Sequence, residues 1–127
     1  MRILIADDQR DVAFLLAQMV ASCNHETVGI VTTGGLDVIA AYDRLRPEVV
    51  IMDINMPRTN GFTACHVLRS RLPSPKIVFF SGFYRENHPF VMNAGADAYL
   101  AKPTDVATLQ AVLSSLEAET ALNVDAA

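Results

Sequence analysis

One short stretch, residues 49–57 with the sequence VVIMDINMP, constrains the fold more than any other part of the chain. Four apolar residues, Val49 to Met52, end abruptly at the carboxylate of Asp53. An apolar run of this length, rich in β-branched residues and followed by a loop, predicts a strand buried on both faces of a parallel sheet. Asp53 then lies at the carboxyl end of the strand, where open α/β sheets bind ligands. A lone Asp at such a position is more often a structural cap, so its neighbours must decide.

The rest of the chain alternates strand-like and helix-like segments, five of each. Strands are predicted at residues 2–6, 27–31, 49–52, 76–80 and 98–101, and helical periodicity follows each of them. The third helix is predicted at residues 61–72 and the last at 105–117, whereas the fourth is short because Pro89 fits only its first turn. The alternation predicts an α/β fold, with a five-stranded parallel sheet between helices in a three-layer, doubly wound (βα)5 arrangement.

The composition is that of one domain with a substantial core. Of the 127 residues, 51% are hydrophobic, and no pattern continues near the end, so we expect a domain at residues 1–119 and a frayed tail at 120–127. The net charge is -4 without a basic stripe, which argues against direct binding of nucleic acid. No apolar run approaches the roughly 20 residues of a membrane span, and Asp7 comes too early for a signal peptide, so we expect a cytoplasmic protein.

The cysteines and histidines indicate no site of their own. Cys23 and Cys65 fall in helix-like segments, where buried, reduced thiols are expected. The three histidines, His25, His66 and His88, have no i, i+4 spacing and no paired cysteines, so the pattern does not favour a zinc site.

Polar residues stand at the carboxyl ends of four of the five predicted strands. Asp7 and Asp8 follow the first strand, Asp53 the third, Ser81 the fourth and Lys102 the fifth. Right-handed crossovers place these ends on one edge of the sheet, and in a strand order of 2-1-3-4-5 the four strands are consecutive neighbours. We therefore expect the five side chains to converge on one shallow cleft, although Asp8 alone is also compatible with a helix cap.

The predicted cleft has the chemistry of a phosphoryl site. Three carboxylates repel each other and persist ionised only near a cation, and a few oxygen ligands suit Mg²⁺ better than zinc or a full calcium cage. Such an ion, with the charge of Lys102 and the hydroxyl of Ser81, would stabilise the oxygens of a phosphoryl group. One carboxylate can then act as nucleophile and form an aspartyl phosphate, and Asp53, on the central strand, is the best placed.

At this point the chain resembles the receiver domain of two-component response regulators, over nearly its whole length and as a single, chemotaxis-regulator-like receiver. The motifs that carry the resemblance are Asp7-Asp8, the loop from Asp53 to Pro57 with Gly61, Ser81-Gly82, Gly95-Ala96-Asp97, Tyr99 and Lys102-Pro103. Each motif alone is weak, but the set in this order and at these spacings is highly specific. The resemblance implies the flavodoxin-like fold of that family.

The resemblance implies roles for the acidic residues. Asp53 would accept a phosphoryl group from a sensor histidine kinase. Mg²⁺, with Mn²⁺ as a substitute, would be held by Asp8, Asp53 and the backbone carbonyl of Asn55, while Asp7 would act largely through water.

It also implies roles for residues on the last two strands. Lys102 and Ser81 would contact the phosphoryl group, and Ser81 and Tyr99 would form a switch that reports its presence. The Lys102–Pro103 peptide bond would be cis.

The implied partners are a sensor histidine kinase or phosphotransfer protein and a downstream protein or effector domain. The latter would read a surface made by the fourth helix, the fifth strand and the fifth helix. The resemblance implies a monomer or a phosphorylation-dependent dimer that contacts neither nucleic acid nor membrane. It implies no enzyme activity beyond the chain's own Mg²⁺-dependent phosphotransfer and autodephosphorylation.

Several alternatives are open at the level of sequence. A degenerate receiver, acting as a phosphorylation-independent binding module, is disfavoured by the complete set of five polar groups. An aspartyl-phosphate phosphatase would need its nucleophile and acid two residues apart after the first strand, and a flavin-binding module would need a phosphate loop where Asp7 and Asp8 stand. The aromatic segment at residues 83–89 departs from the family, and it is compatible with packing on the sheet edge or with a docking role.

Overall fold

The computed structural model describes residues 1–126 as five strands and five helices in strict alternation. The strands are β1 (Arg2–Ala6), β2 (Glu26–Val31), β3 (Val49–Met52), β4 (Lys76–Ser81) and β5 (Ala98–Ala101). The helices are α1 (Arg10–Ser22), α2 (Gly35–Leu45), α3 (Gly61–Arg69), α4 (Pro89–Asn93) and α5 (Val106–Ala126). Every predicted element is present in the predicted order.

The five strands form one parallel sheet in the order β2-β1-β3-β4-β5, which confirms the predicted doubly wound topology. Strand β3 lies at the centre, and Ile51 pairs with Ile5 of β1 on one side and Val78 of β4 on the other. All four residues of β3 are buried. Residues 49–52 are therefore all apolar for the reason inferred from the sequence, since helices cover both faces of β3.

Each face of the sheet carries its own hydrophobic core, because successive side chains of a strand point to opposite faces. Leu4, Val50 and Phe79 face one core, with α2, α3 and Val91 of α4 packed against it. Ile5, Ile51 and Val78 face the other core, which is closed by α1 and α5. The three layers hold the carboxyl ends of the strands in a fixed frame.

The helix boundaries differ from the predictions at two points. Helix α3 ends at Arg69 rather than at residue 72, because the following turn leads into Pro73. Helix α5 continues to Ala126, so its predicted end at Glu117 is wrong. The apolar stripe stops at Leu116, but the sequence that follows is rich in Ala and Glu, which have high helix propensity. Residue 127 of the predicted tail lies outside the described residues.

The helical periodicity of the sequence places Leu15, Leu36 and Val106 on the apolar faces of three helices, and these faces are broader than the buried ones. Leu15 of α1 and Leu36 of α2 are 54% and 55% exposed, and Val106 of α5 is also exposed. The buried line of α1 is formed instead by Ala13, Leu16 and Val20. An i, i+3, i+4 pattern identifies the face of a helix, but it does not show which residues at the edge of that face are covered.

Two further sequence predictions concern thiols and peptide geometry. Cys23 and Cys65 are buried free thiols, and burial raises the pKa of both, which makes them poor nucleophiles. The Lys102–Pro103 peptide bond is cis, as is Leu72–Pro73. Among residues 1–126, no helix combines the length and the apolar character needed to cross a bilayer.

Candidate functional site

The structure brings the predicted polar residues together at the carboxyl edge of the sheet. Asp7 and Asp8 follow β1, and Asp53 follows β3, so the neighbouring strands carry their carboxylates to the same place. One oxygen from each of the three carboxylates lies within 4.8 Å of the others. Lys102, which follows β5, reaches across the end of β4 and places Nζ 2.6 Å from Oδ2 of Asp7 and 3.2 Å from Oδ2 of Asp53.

The acidic residues differ in their surroundings. Asp7 is fully buried, and its Oδ1 accepts a hydrogen bond of 2.9 Å from the backbone N–H of Gln9. Asp53 is almost fully buried, and its Oδ1 accepts a bond of 3.2 Å from the backbone N–H of Asn55. Asp8 is exposed to solvent. The arrangement therefore has two buried carboxylates beneath one that solvent reaches.

The electrostatic balance of the cluster is negative. Burial raises the pKa of Asp53, with the charge of Asp7 adding to the effect and Lys102 opposing it. Burial alone would lower the pKa of Lys102, but its hydrogen bond to Asp7 and the charges of Asp53 and Asp7 raise it instead. Lys102 thus remains an ammonium group, and it supplies one positive charge beside three carboxyl groups.

This donor set fits a small, hard cation. The oxygens of Asp7, Asp8 and Asp53 are close enough to share one ion, and the negative balance of the cluster supplies the attraction. Mg²⁺ binds oxygen ligands and usually retains several waters, which the exposure of Asp8 permits. The geometry is therefore that of a site able to hold a cation next to the carboxylate of Asp53.

Ser81 lies at the end of β4, between the strands that carry Asp53 and Lys102. Its side chain is buried, and Oγ accepts hydrogen bonds from the backbone N–H groups of Phe83 and Tyr84, at 3.2 and 3.1 Å. Both bonds use Ser81 as the acceptor, so the hydroxyl proton itself remains able to donate. Ser81 thus connects the site to the loop before α4.

Tyr99 on β5 is linked to the same loop. Its hydroxyl lies 3.2 Å from the backbone carbonyl of Ser81 and donates a hydrogen bond to the backbone carbonyl of Tyr84. Burial raises the pKa of the Tyr99 phenol, and the charge of Glu86 adds to the shift. The main chain of Tyr84 therefore joins the two residues that the sequence predicts as a switch, a connection that the sequence analysis missed.

Two other neighbours of the site were also missed. The Lys102 ammonium lies 5.1 Å from the centre of the Phe80 ring, which supports the lysine from the side of the sheet. Gln9 contributes only its backbone N–H, which any residue can supply, so its side chain gave no signal. The available signal for Phe80 was its position next to Ser81 at the end of a strand.

The aromatic segment at residues 83–89 packs in part against the domain. The rings of Phe62, Tyr84, His88 and Phe90 form a sequence of edge-to-face and tilted contacts with centroids 5.0 to 6.1 Å apart. Phe62 in turn contacts the buried Phe79, at 5.6 Å. Tyr84 is thus the residue that packs on the sheet layer, whereas Phe83 is 76% exposed.

A doubly wound parallel sheet with three carboxylates and one lysine at its carboxyl edge defines a flavodoxin-like domain with an acidic cluster compatible with metal binding. The profile described as "Response regulator receiver domain" matches residues 3–114. The chain belongs to this family.

Individual relatives agree with the match. The chain is 36% identical over 104 residues to the transcriptional regulatory protein YxjL of Bacillus subtilis, covering 81% of this chain and 48% of that protein. It is 30% identical over 103 residues to the chemotaxis protein CheY of Thermotoga maritima, covering 80% of this chain and 85% of CheY. It therefore spans about half of the length of some relatives, such as YxjL, and most of the length of CheY.

Solved structures show the same fold. The receiver domain of AraT, a response regulator from Geobacillus stearothermophilus, superposes with a TM-score of 0.85 at 24% identity and covers 96% of both chains. The response regulator domain of CheB from Thermotoga maritima gives a TM-score of 0.79 at 22% identity, covering 92% of this chain and 96% of that one. These likenesses support the architecture described above.

Proposed function

We propose that this chain is the phosphoaccepting receiver of a two-component system and that Asp53 is the residue that accepts the phosphoryl group. The observation that carries the proposal is the position of Lys102, whose ammonium bridges Asp7 and Asp53 within 3.2 Å. Asp53 stands at the end of the central strand and is the carboxylate that has both the acidic pair and Lys102 as neighbours.

The proposed reaction transfers a phosphoryl group from a phosphohistidine of a sensor kinase or phosphotransfer protein. A carboxylate oxygen of Asp53 forms a bond to phosphorus as the phosphorus–nitrogen bond breaks, and the leaving imidazole takes up a proton from solvent. Lys102 donates hydrogen bonds to the equatorial oxygens, and the hydroxyl of Ser81 donates another. These donors face the charge that the group carries throughout the transfer.

The metal in this proposal is Mg²⁺, with Mn²⁺ as a substitute. Asp8, Asp53 and the backbone carbonyl of Asn55 would hold the ion, and Asp7, which is already bound to Lys102, would act through water. When bound, the ion neutralises the phosphoryl oxygens that the acidic cluster would otherwise repel. Asp7, Asp8 and Lys102 therefore tune the charge around Asp53 before and after the transfer.

The docking site for the phosphodonor protein is proposed to be an apolar cavity beside the cluster. The cavity has a volume of about 250 Å³ and lies between α1 and the loop after β5, with Val12, Leu15, Met19 and Pro103 in its lining. Lys102 forms part of the lining of this cavity, and it also contacts Asp53 in the acidic cluster. An amphipathic helix of a kinase seated there would carry its phosphohistidine close to Asp53.

The output side of the proposal rests on Ser81 and Tyr99. A phosphoryl group on Asp53 would offer Ser81 a new acceptor, and the loop that Ser81 now holds would move with it. The changed surface would include α4, β5 and α5, and a downstream protein, an effector domain or a second copy of the chain would read it. We place this signalling in the cytoplasm, beside the kinase.

Phosphorylation by acetyl phosphate tests the proposal directly. Wild-type protein with Mg²⁺ should gain the mass of one phosphoryl group, and Asp53→Asn should gain none. Asp43→Asn, which changes an exposed carboxylate near the end of α2, is the matched control and should label like wild type. Equal labelling of Asp53→Asn and wild type would overturn the assignment, and an unlabelled wild type would indicate a binding module that works without phosphorylation.

A further inference from the structure

The loop between β3 and α3, residues 53–60, carries the backbone carbonyl of Asn55 that is proposed to bind Mg²⁺. Backbone hydrogen bonds define its shape: Gly61 donates to the carbonyl of Ile54 at 2.7 Å, and Thr59 donates to that of Pro57 at 2.9 Å. Met56 is buried in the core beneath the loop. These contacts fix the inner side of the loop, and its outer side meets a different part of the chain.

Two buried glycines at the start of α2, Gly34 and Gly35, press against this outer side. A Cβ atom built on Gly35 would lie 2.0 Å from the backbone carbonyl oxygen of Thr59, and one built on Gly34 would lie 2.4 Å from that of Pro57. Both obstacles are main-chain atoms, so they cannot rotate away as a side chain could. The close approach of α2 to the loop therefore requires the absence of side chains at both positions.

We propose that Gly35, together with Gly34, is a positioning residue for the metal site, because α2 holds the β3–α3 loop in the geometry that presents the Asn55 carbonyl. The inference rests on the proposed Mg²⁺-dependent phosphorylation of Asp53. Gly35 itself contacts neither the carboxylates nor the phosphoryl group, and it acts through the loop backbone from Thr59 back to Asn55.

The size of the displacement supports this role. Real Cβ atoms essentially never approach closer than 3.0 Å, so an alanine at 35 must move the Thr59 carbonyl or α2 by about 1 Å. Mg²⁺ demands near-ideal octahedral geometry with ligands at roughly 2.0–2.1 Å, so the part of this displacement that the loop backbone transmits from Thr59 to the Asn55 carbonyl weakens binding. Arg58 and Asp37 also join the loop to α2, but this ion pair of 3.5 Å is exposed and stabilises the contact little.

Gly29 on β2 provides a matched control. A Cβ atom at Gly29 would lie 2.9 Å from Cδ1 of Leu45 and 3.2 Å from Cδ1 of Leu4, which are the movable ends of flexible side chains. Gly29→Ala thus adds the same methyl group to a partly buried position away from the β3–α3 loop. A loss of stability common to Gly29→Ala and Gly35→Ala reflects packing, whereas a loss of metal affinity confined to Gly35→Ala reflects positioning.

The experiment compares wild type, Gly35→Ala and Gly29→Ala by urea unfolding, by calorimetric titration with Mg²⁺, and by labelling with acetyl phosphate over a range of Mg²⁺ concentrations. We expect Gly35→Ala to weaken Mg²⁺ binding about tenfold, as lost outer-shell support does at other metal sites. Its half-saturating Mg²⁺ concentration should rise by the same factor, while its labelling rate at saturating Mg²⁺ stays close to that of wild type. Gly29→Ala should bind Mg²⁺ like wild type.

A folded Gly35→Ala protein with wild-type affinity for Mg²⁺ would overturn the inference. If Gly35→Ala does not fold, the double variant Gly35→Ala/Thr59→Gly lets the loop yield, and it should fold and bind Mg²⁺ weakly; wild-type affinity there would also overturn it. The outcomes separate this inference from the proposed function: a wild type that binds no Mg²⁺ and takes no phosphoryl group refutes both, whereas the Gly35 variants bear on positioning alone.

Discussion

The ammonium of Lys102 lies 2.6 Å from Oδ2 of Asp7, a carboxylate with no exposure to solvent. The side chain of Lys102 is itself only 15% exposed, and its second contact is Asp53 at 3.2 Å. The lysine therefore has two functions that a variant can separate. It stabilises buried negative charge in the free protein, and it is proposed to bind phosphoryl oxygens during the transfer.

Lys102→Met should lower the free energy of unfolding in EDTA by about 3 kcal/mol, because removing one partner of a buried pair leaves a charge without compensation. Mg²⁺ should bind this variant more tightly than wild type, since a repelling charge is gone, yet labelling by acetyl phosphate should be slow. Lys76→Met is the matched control. Lys76 pairs with Asp97 and Glu119 at 4.0 and 3.5 Å near the surface, so its loss should cost less than about 1 kcal/mol. Equal losses in the two variants would contradict the assignment.

The stability of the protein should depend on pH through Asp53. Its pKa is raised by burial, so the folded chain binds the proton of this carboxyl more tightly than the unfolded chain does. The protonated carboxyl therefore contributes stability that is full below the ordinary Asp range and is lost as pH rises through the raised pKa. In EDTA, the stability of Asp53→Asn relative to wild type should increase from about pH 4 to neutral pH. Urea unfolding at a series of pH values measures the difference.

Asp43 provides a control of opposite sign. Its hydrogen bond to Arg71 lowers the pKa of this exposed carboxyl, so its contribution is present at neutral pH and is lost only as pH falls through the lowered pKa. The difference in the free energy of unfolding between Asp43→Asn and wild type should therefore be constant near neutral pH and become smaller in acid. The assigned roles would be contradicted if the stability of Asp43→Asn relative to wild type rose with pH, or if that of Asp53→Asn did not change with pH.

The two residues of the acidic pair should contribute unequally to metal binding. Asp8 is exposed and free to coordinate, whereas Asp7 is buried and already paired with Lys102. Asp8→Asn should weaken Mg²⁺ binding at least about tenfold and Asp7→Asn less, because a direct ligand contributes more than one acting through water. Titration of both variants with Mg²⁺ measures this order. Labelling that persists in excess chelator would remove the metal from the mechanism altogether.

Most of the fold and the meeting place of the acidic residues and Lys102 could be predicted from the sequence, because both depend on the ends of apolar runs. In a parallel sheet the topology brings those ends to one edge, so Asp7, Asp53 and Lys102 meet wherever their strands are correctly assigned. The start of α4 could also be predicted from local sequence, since Pro89 stands in the first turn of this helix.

Contacts between elements distant in sequence could not be predicted. The close approach of Gly35 to Thr59 depends on how α2 packs beside the β3–α3 loop, and no periodic pattern records it. The exposure of Leu15 has the same cause, because its cover depends on neighbouring elements rather than on α1 itself. The hydrogen bond from Tyr99 to Tyr84 uses a main-chain acceptor, which carries no sequence signal.

The exposed Leu15 tests the proposed docking of the phosphodonor. Leu15→Ala should slow transfer from the cognate kinase about tenfold and leave labelling by acetyl phosphate unchanged, since interface anchors lose roughly 1–2 kcal/mol when truncated. Leu36→Ala is a close control, because Leu36 is as exposed as Leu15 but lies on α2, away from the cavity. If Leu15→Ala slows phosphorylation by the kinase and by acetyl phosphate equally, or if only Leu36→Ala slows transfer from the kinase, the kinase docks elsewhere.

The last prediction concerns the switch and begins from the main chain of Tyr84. Its N–H donates to Ser81 at 3.1 Å and its carbonyl accepts from Tyr99, so the two side chains hold one peptide segment from opposite sides. A phosphoryl group on Asp53 offers Ser81 a charged acceptor, and charge-assisted hydrogen bonds are stronger than the neutral bonds that Ser81 now accepts. Ser81 should move toward the group, the segment should be released, and Tyr99 should turn further inward.

Beryllofluoride, a mimic of the phosphoryl group, allows the switch to be followed by NMR of protein labelled in its three tyrosine rings. The signals of Tyr84 and Tyr99 should shift when the mimic binds, whereas Tyr42 should not respond, because its hydroxyl is bonded to the carbonyl of Pro73, which lies outside the phosphoryl site. Ser81→Ala should abolish the shift of Tyr99 while Asp53 still binds the mimic, since the link between the two sites is the Ser81 hydroxyl. If Tyr99 shifts equally in Ser81→Ala and wild type, the signal reaches β5 by another route, and if it shifts in neither, Tyr99 is an ordinary strand aromatic with one fixed orientation.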